Sequence, residues 1–110
     1  MKEKDVHRGE IWFVELGDNK GSVQSNKRPA LIISNEMSNL HSDILMVIPI
    51  TSKNKIELPT HVPIKLKYES LILCEQITTI SKKCLCNCVR ELNDDEMKMV
   101  ENAIKISLEL

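Results

Sequence analysis

Two short apolar runs set the terms on which this chain can fold. Ala30-Leu31-Ile32-Ile33 follows directly on a polar loop, Gln24-Ser25-Asn26-Lys27-Arg28-Pro29, and stops at Ser34-Asn35. Ile44-Leu45-Met46-Val47-Ile48-Pro49-Ile50 stops at Thr51-Ser52. Both read as strands. Pro29 lacks an N–H and belongs at a strand start or edge, and Pro49 points to a bulge or an edge position. If the two strands pair antiparallel, Arg28 before the first and Thr51 after the second reach the same end of a sheet. A guanidinium and a hydroxyl held together suit a phosphate group. Taken singly, each also has an ordinary reading, as a surface arginine opening a strand and a β-prone threonine closing one.

The rest of the chain supplies more strands and one good helix. Glu10 to Leu16, Thr60 to Leu66, Leu71 to Cys74 continuing through Glu75-Gln76-Ile77, and Leu85 to Leu92 are apolar, alternating or β-prone. On the last of these, Leu85 and Val89 are expected to share a face. The segment from Asn35 to Asp43 is polar and fits a turn or a short helix. The C-terminal helix carries its own start signal: Asn93 can cap it and Glu96 can return the bond, while Leu92 and Met97 stand where a hydrophobic staple puts them. Its apolar residues fall into two adjoining stripes, Met97, Val100, Ile104, Leu108 and Met99, Ala103, Ile106, Leu110, enough to dock the helix and to leave area for a second subunit. Strand–helix–strand alternation is absent. These patterns predict a mainly β (β+α) fold, a small, strongly curved antiparallel sheet or partly closed barrel with a C-terminal helix, in a single domain over residues 1–110.

Composition narrows the ligand classes. The formal net charge is −1, so an anionic ligand would need a local cationic patch rather than a global field. Trp12, Phe13 and Tyr68 are the only aromatics, too few for an extended stacking surface. Cys84, Cys86 and Cys88 alternate as in a strand, where same-face positions stand about 6.6–7 Å apart; thiolates sharing one zinc sit at about 2.3 Å from it. They therefore read as strand residues first, with a metal or a redox role as the alternatives, as for Cys74. His7, His41 and His61 are the candidates for acid–base chemistry on a phosphodiester, without a supporting motif. Glu75-Gln76 interrupts an apolar strand, either to read a base by hydrogen bonds or simply to face solvent. The charged N-terminus lacks a signal-like apolar region and no run has membrane-spanning length, so a cytoplasmic protein is expected.

Several blocks in order carry a family likeness. They are Arg8-Gly9-Glu10-Ile11-Trp12; Gly21-Ser22 and Gln24 followed by Lys27-Arg28-Pro29-Ala30-Leu31-Ile32-Ile33-Ser34-Asn35; Ile48-Pro49-Ile50-Thr51-Ser52; Leu58-Pro59-Thr60-His61-Val62; and Ser70 through Ile77 with its Glu75-Gln76. Together they resemble the MazF/PemK/Kid toxins of bacterial toxin–antitoxin systems. The resemblance implies a small SH3-like β-barrel of the CcdB/MazF type with a C-terminal helix, usually a homodimer. It implies an endoribonuclease, independent of ribosomes and of metals and needing no cofactor, that cuts single-stranded RNA (mRNA) at a specific sequence. The RNA's own 2′-OH would attack, leaving a 2′,3′-cyclic phosphate and a 5′-OH. Arg28 and Thr51 would be the catalytic pair. Ser22, Gln24, Lys27, Asn35, Ser52, Glu75 and Gln76 would contact RNA, and a labile MazE-like antitoxin would occupy the same groove through an acidic tail. Val23, Ser25-Asn26 and Thr78 depart from the family's usual residues on the RNA-facing side. The alternatives are a non-catalytic binder on the same fold, of the kind that inhibits gyrase, and a decayed toxin that only regulates its operon with its antitoxin.

Overall fold

A computed structural model describes residues 5–16, 27–52 and 57–110. Its strands are β1 (Glu10–Glu15), β2 (Lys27–Ile32), β3 (Ile44–Thr51), β4 (His61–Lys65), β5 (Glu69–Leu73), β6 (Thr78–Ser81) and β7 (Leu85–Glu91); its helices are α1 (Glu36–His41) and α2 (Asp94–Leu108). The sheet runs β4-β5-β3-β2-β1-β7, with β6 also on β3. Every pairing in it is antiparallel.

β3 organises the sheet because its edges serve three partners. One edge pairs with β2 through Ala30↔Pro49, Leu31↔Ile48 and Ile32↔Val47. The other pairs first with β6, over Ile44 to Val47, and then with β5 at Ile50 and Thr51. A strand that changes partner midway must bend, and the sheet curls into a half-barrel. Alternation along the strands then builds two cores. Ile11, Leu31, Ile48 and Ile50 face inward with Val62, Ile64 and Ile72 and pack against Leu92, Val100 and Ala103 at α2. Trp12, Val14, Ala30, Ile32, Leu45 and Val47 occupy the opposite face with Val6, Ile80 and Leu85.

The helix begins as its sequence predicts. Asn93 accepts from the Glu96 amide at 2.8 Å, and Glu96 accepts from the Asn93 amide at 2.9 Å. Leu92 lies in the core with Met97 packed against it. One residue of each stripe, Val100 and Ala103, is fully buried; Met99, Ile106, Leu108 and Leu110 are exposed in the single chain.

Three expectations change. The apolar segment after Leu71 is not one strand: β5 ends at Leu73, the Gln76 amide donates to the Leu73 carbonyl at 2.9 Å, and the chain turns before β6. Polar Glu75-Gln76 marks that turn. Pro49 takes the edge position expected of it, paired with Ala30 on one side and lying between the β6 and β5 pairings on the other, whereas the register irregularities lie between β1 and β7, at Ile11/Trp12 and Phe13/Val14. These shifts break the alternation on β7, so Leu85 is buried whereas Val89 is exposed. They also undo the expected regular row of cysteines, since Cys84 sits in a 3-10 turn before β7 and Cys88 opposes Trp12. Cys74 is fully buried, and burial followed by the Glu75 charge pushes its thiol up to about 12.

Two local features hold the ends of the sheet. Gly9 has φ of 93°, its amide donates to the Ile32 carbonyl at 2.8 Å, and its carbonyl accepts from the Leu92 amide at 2.9 Å. It thereby ties β1, β2 and the approach to α2. The Glu75 carboxylate accepts from Thr60 Oγ1 and pairs with His61 Nε2, each at 3.0 Å, fastening the turn after β5 to the start of β4. Partial burial raises this carboxyl, but the hydrogen bonds from His61, its own backbone and Thr60 outweigh it, and it titrates below the ordinary glutamate range.

Gly9→Ala is expected to cost about 1–2 kcal/mol in chemical denaturation, from backbone strain at positive φ. An added Cβ would meet Met97 Sδ at 3.6 Å, an ordinary contact rather than a clash. For Glu75, a lowered folded-state pKa means stability present above the unfolded value and lost as pH falls through the folded one. The stability gap between the wild type and Glu75→Gln, followed by denaturation from pH 7 downward, should be widest near neutrality. It should close on the acid side of about pH 4.3.

Candidate functional site

The β2–β3 register sets the site. Its last pair is Ala30↔Pro49, and the same register carried two residues further sets Arg28 opposite Thr51. Arg28 shares a face with Ala30 and Ile32, and Thr51 with Leu45 and Val47, which all belong to one core face. β1 holds Arg28 from the other side through Val14↔Arg28 and Glu15↔Lys27, while β5 holds Thr51 through Leu71. Both residues are therefore fixed by strand pairing on the edge away from each other. The ladder between them has ended, which leaves room for a ligand.

That room is a cleft of about 420 Å³ lined by Arg28, Thr51 and ten further residues, among them Lys27, Ser52, Lys67 and Tyr68. Its described lining contains three cations, Lys27, Arg28 and Lys67, and no carboxylate. Hydroxyls come from Thr51, Ser52, Tyr68 and Ser70; Phe13, Pro29, Ile50, Leu66 and Val89 form the apolar part of the wall. A smaller depression of about 40 Å³ also borders Arg28, and Thr78 and Pro49 are on its wall. Arg28 thus borders two concavities. Cations and hydroxyls without carboxylates form a surface for an anion bearing several acceptor oxygens, and an apolar wall suits the flat rings attached to it.

The structure brings Arg28, Thr51, Lys27 and Ser52 together in this cleft. It does not bring Asn35 or Glu75-Gln76 to the wall. Asn35 lies beyond the far end of β2, where its side chain caps α1 by accepting from the Ser38 amide at 2.7 Å. Glu75 is engaged with Thr60 and His61 at the turn after β5, at the opposite end of that strand from Ser70. Ser22 and Gln24 fall outside the described residues, in the segment that joins β1 to Lys27.

Eight lining residues escaped the reading of the sequence, among them Phe13, Lys67, Tyr68 and Val89. Phe13 and Val89 look like strand residues, and only their register reveals where they face. Lys67 and Tyr68 had a usable signal. A lone tyrosine beside a lysine in a tight connection between strands is unlikely core material, and Tyr68 is indeed 63% exposed.

A model of the family described as "PemK-like, MazF-like toxin of type II toxin-antitoxin system" matches residues 7–108. The chain is 41% identical over 111 aligned residues to the endoribonuclease MazF of Staphylococcus saprophyticus, with 96% of this chain and 92% of that protein covered. Among solved structures, a mycobacterial endoribonuclease in complex with its cognate antitoxin superposes with a TM-score of 0.81 at 22% identity, covering 96% of this chain and 97% of that one. A MazE–MazF structure from Deinococcus radiodurans gives a TM-score of 0.81 at 19% identity, covering 96% of each chain. These two establish the likeness of fold. The family match runs through the cleft and the capped helix alike, and with the staphylococcal relative it places this chain among the PemK-like, MazF-like toxins of type II toxin–antitoxin systems.

Proposed function

We propose that this chain is an endoribonuclease toxin that cleaves single-stranded RNA at a specific sequence, without a metal and without the ribosome. The observation that carries the reading is the meeting of Arg28 and Thr51 in a cationic cleft whose described lining holds no carboxylate. The staphylococcal relative's name, endoribonuclease MazF, supports RNA as the substrate class.

In this mechanism the nucleophile is the RNA's 2′-oxygen. It attacks the adjacent phosphorus, the 2′-O–P bond forms, and the P–O5′ bond breaks. The 2′-OH gives up its proton, and the leaving 5′-oxygen takes one up. The products are a 2′,3′-cyclic phosphate and a 5′-OH. Arg28 grips the non-bridging oxygens and assists the proton transfers, and Thr51 donates a hydrogen bond to the oxygen on which negative charge grows. Lys27 and Ser52 hold the flanking backbone. Because the substrate supplies its own nucleophile, the protein needs no activated serine or cysteine.

Antitoxin complexes of the mycobacterial and Deinococcus proteins support a cognate antitoxin as this chain's partner. The exposed Met99, Ile106 and Leu108 of α2, with Leu110 just beyond it, support a homodimer, since so much apolar surface is better buried. No helix among the described residues is long and apolar enough to cross a membrane. A messenger-RNA substrate supports the cytoplasm as the site of action.

Purified protein is expected to cut single-stranded RNA in EDTA and to spare DNA of the same sequence, which lacks the 2′-OH. Mapping the ends should find cyclic phosphates and 5′-hydroxyls. Arg28→Ala should lower the cleavage rate by about 10²–10⁴-fold and Thr51→Ala by about 10²-fold, with circular dichroism unchanged. Cleavage that requires a divalent ion, or an Arg28→Ala variant of full activity, would refute the mechanism.

A further inference from the structure

We propose that Tyr68, at the tip of the β4–β5 hairpin, is a stacking platform for one nucleobase next to the phosphate held by Arg28 and Thr51. The proposal deepens the reading of the cleft as an RNA site and rests on it.

Of the three aromatics, Trp12 is buried in the core and Phe13 is half-buried, whereas Tyr68 is 63% exposed while lining the cleft. An exposed ring is ordinarily mobile, but this one stands on a fixed mount. The Tyr68 carbonyl accepts from the Leu66 amide at 3.1 Å and from Ser70 Oγ at 2.9 Å. Ser70 is itself buried. Below the tip, Lys65 pairs with Glu69 in the ladder and by an ion pair of 3.2 Å, and the Lys65 carbonyl accepts from Arg90 at 3.0 Å. Arg90 in turn is bound to Glu96 of the α2 capping box. The ring's backbone mount is thus tied through β7 to the helix, so a ligand has to order the side chain but not the hairpin that carries it.

Lys67 Nζ lies 5.8 Å from the Tyr68 ring centroid. A cation at that distance can approach only one face of the ring, which leaves the other for a flat partner. The lysine also lines the cleft, so base and phosphate of one nucleotide could be met by adjacent residues of one hairpin. A base stacks on an aromatic ring whatever its identity and whatever the sugar. Tyr68 therefore sets affinity and the placement of the strand, while Arg28 and Thr51 perform the cut.

Binding and cleavage separate the two claims. The probes are a single-stranded RNA containing a mapped cleavage site and the all-deoxy oligonucleotide of the same sequence, which lacks the nucleophile. Wild-type protein should bind the deoxy oligonucleotide. Tyr68→Ala should weaken that binding by on the order of tenfold, while the slope of log affinity against log salt stays unchanged. Lys67→Ala should flatten that slope by about one charge. On RNA, Tyr68→Ala should raise KM about tenfold and leave kcat within about twofold. Tyr68→Phe should behave as wild type, and Tyr68→Trp should bind with its emission quenched on addition of either oligonucleotide. If wild type cuts RNA but Tyr68→Ala matches it in KM and in deoxy-oligonucleotide affinity, the platform is refuted and the nuclease stands. If Tyr68→Phe is as weak as Tyr68→Ala, stacking is refuted in favour of a hydroxyl contact. A wild type that neither binds nor cuts single strands overturns both readings.

Discussion

The architecture depends on how one strand, β3, spends its hydrogen bonds. Its eight residues pair with β2 on one edge and with β6 and then β5 on the other. The partner exchange bends the sheet, and the bend lets β1, β2, β3, β4 and β5 all reach the core under α2. It also ends the β2–β3 ladder early. The last pair contains Pro49, and Pro29 precedes its partner Ala30. Successive antiparallel pairs alternate in the side their N–H groups face, so one of these prolines withholds a donor from this ladder at the point where it stops. Arg28 and Thr51 stand just beyond, held from behind by β1 and β5. The early end of the ladder thereby creates the opening in which a guanidinium and a hydroxyl can share a ligand.

Charge is distributed in keeping with this geometry. A chain of formal net charge −1 has no long-range field to draw an anion. Yet the described lining of the cleft is cationic, because its carboxylates are used elsewhere. Glu36 pairs with His7, Glu101 with Arg8, Glu69 with Lys65, Glu75 with His61, and Glu96 with Arg90. Several of these join elements that are distant in sequence, Arg8 to α2 most plainly. Being partly exposed, such pairs contribute little individually to stability. Their larger effect is to keep negative charge off the surface where Lys27, Arg28 and Lys67 meet.

Much of this was legible in residue order. The apolar runs Ala30–Ile33 and Ile44–Ile50 marked strands, and antiparallel pairing then put Arg28 and Thr51 at one end. The Asn93–Glu96 box and the Leu92–Met97 pair announced α2, and both are present. These features are local: a capping side chain and its target are three residues apart, and alternation needs only neighbours. The reading failed where pairing partners matter. Glu75-Gln76 looked like a polar interruption of a strand, but hydrogen bonds to Thr60 and His61 make it a fastened turn. Val89 was expected beside Leu85, but register shifts opposite β1 turn it toward the cleft. Asn35 was expected at a ligand and is a helix cap.

The amino-acid sequence alone determined most of the elements, the cap of α2 and the identity of the two residues at the strand ends, because hydrophobic period and side-chain-to-backbone bonds act within a few residues. Tertiary structure alone decided that the β4–β5 hairpin would carry Lys67 and Tyr68 to the same cleft. That outcome depends on β5 pairing with the last residues of β3, a contact between segments some twenty positions apart, as in Thr51↔Leu71, and no local preference encodes the bend that brings them together.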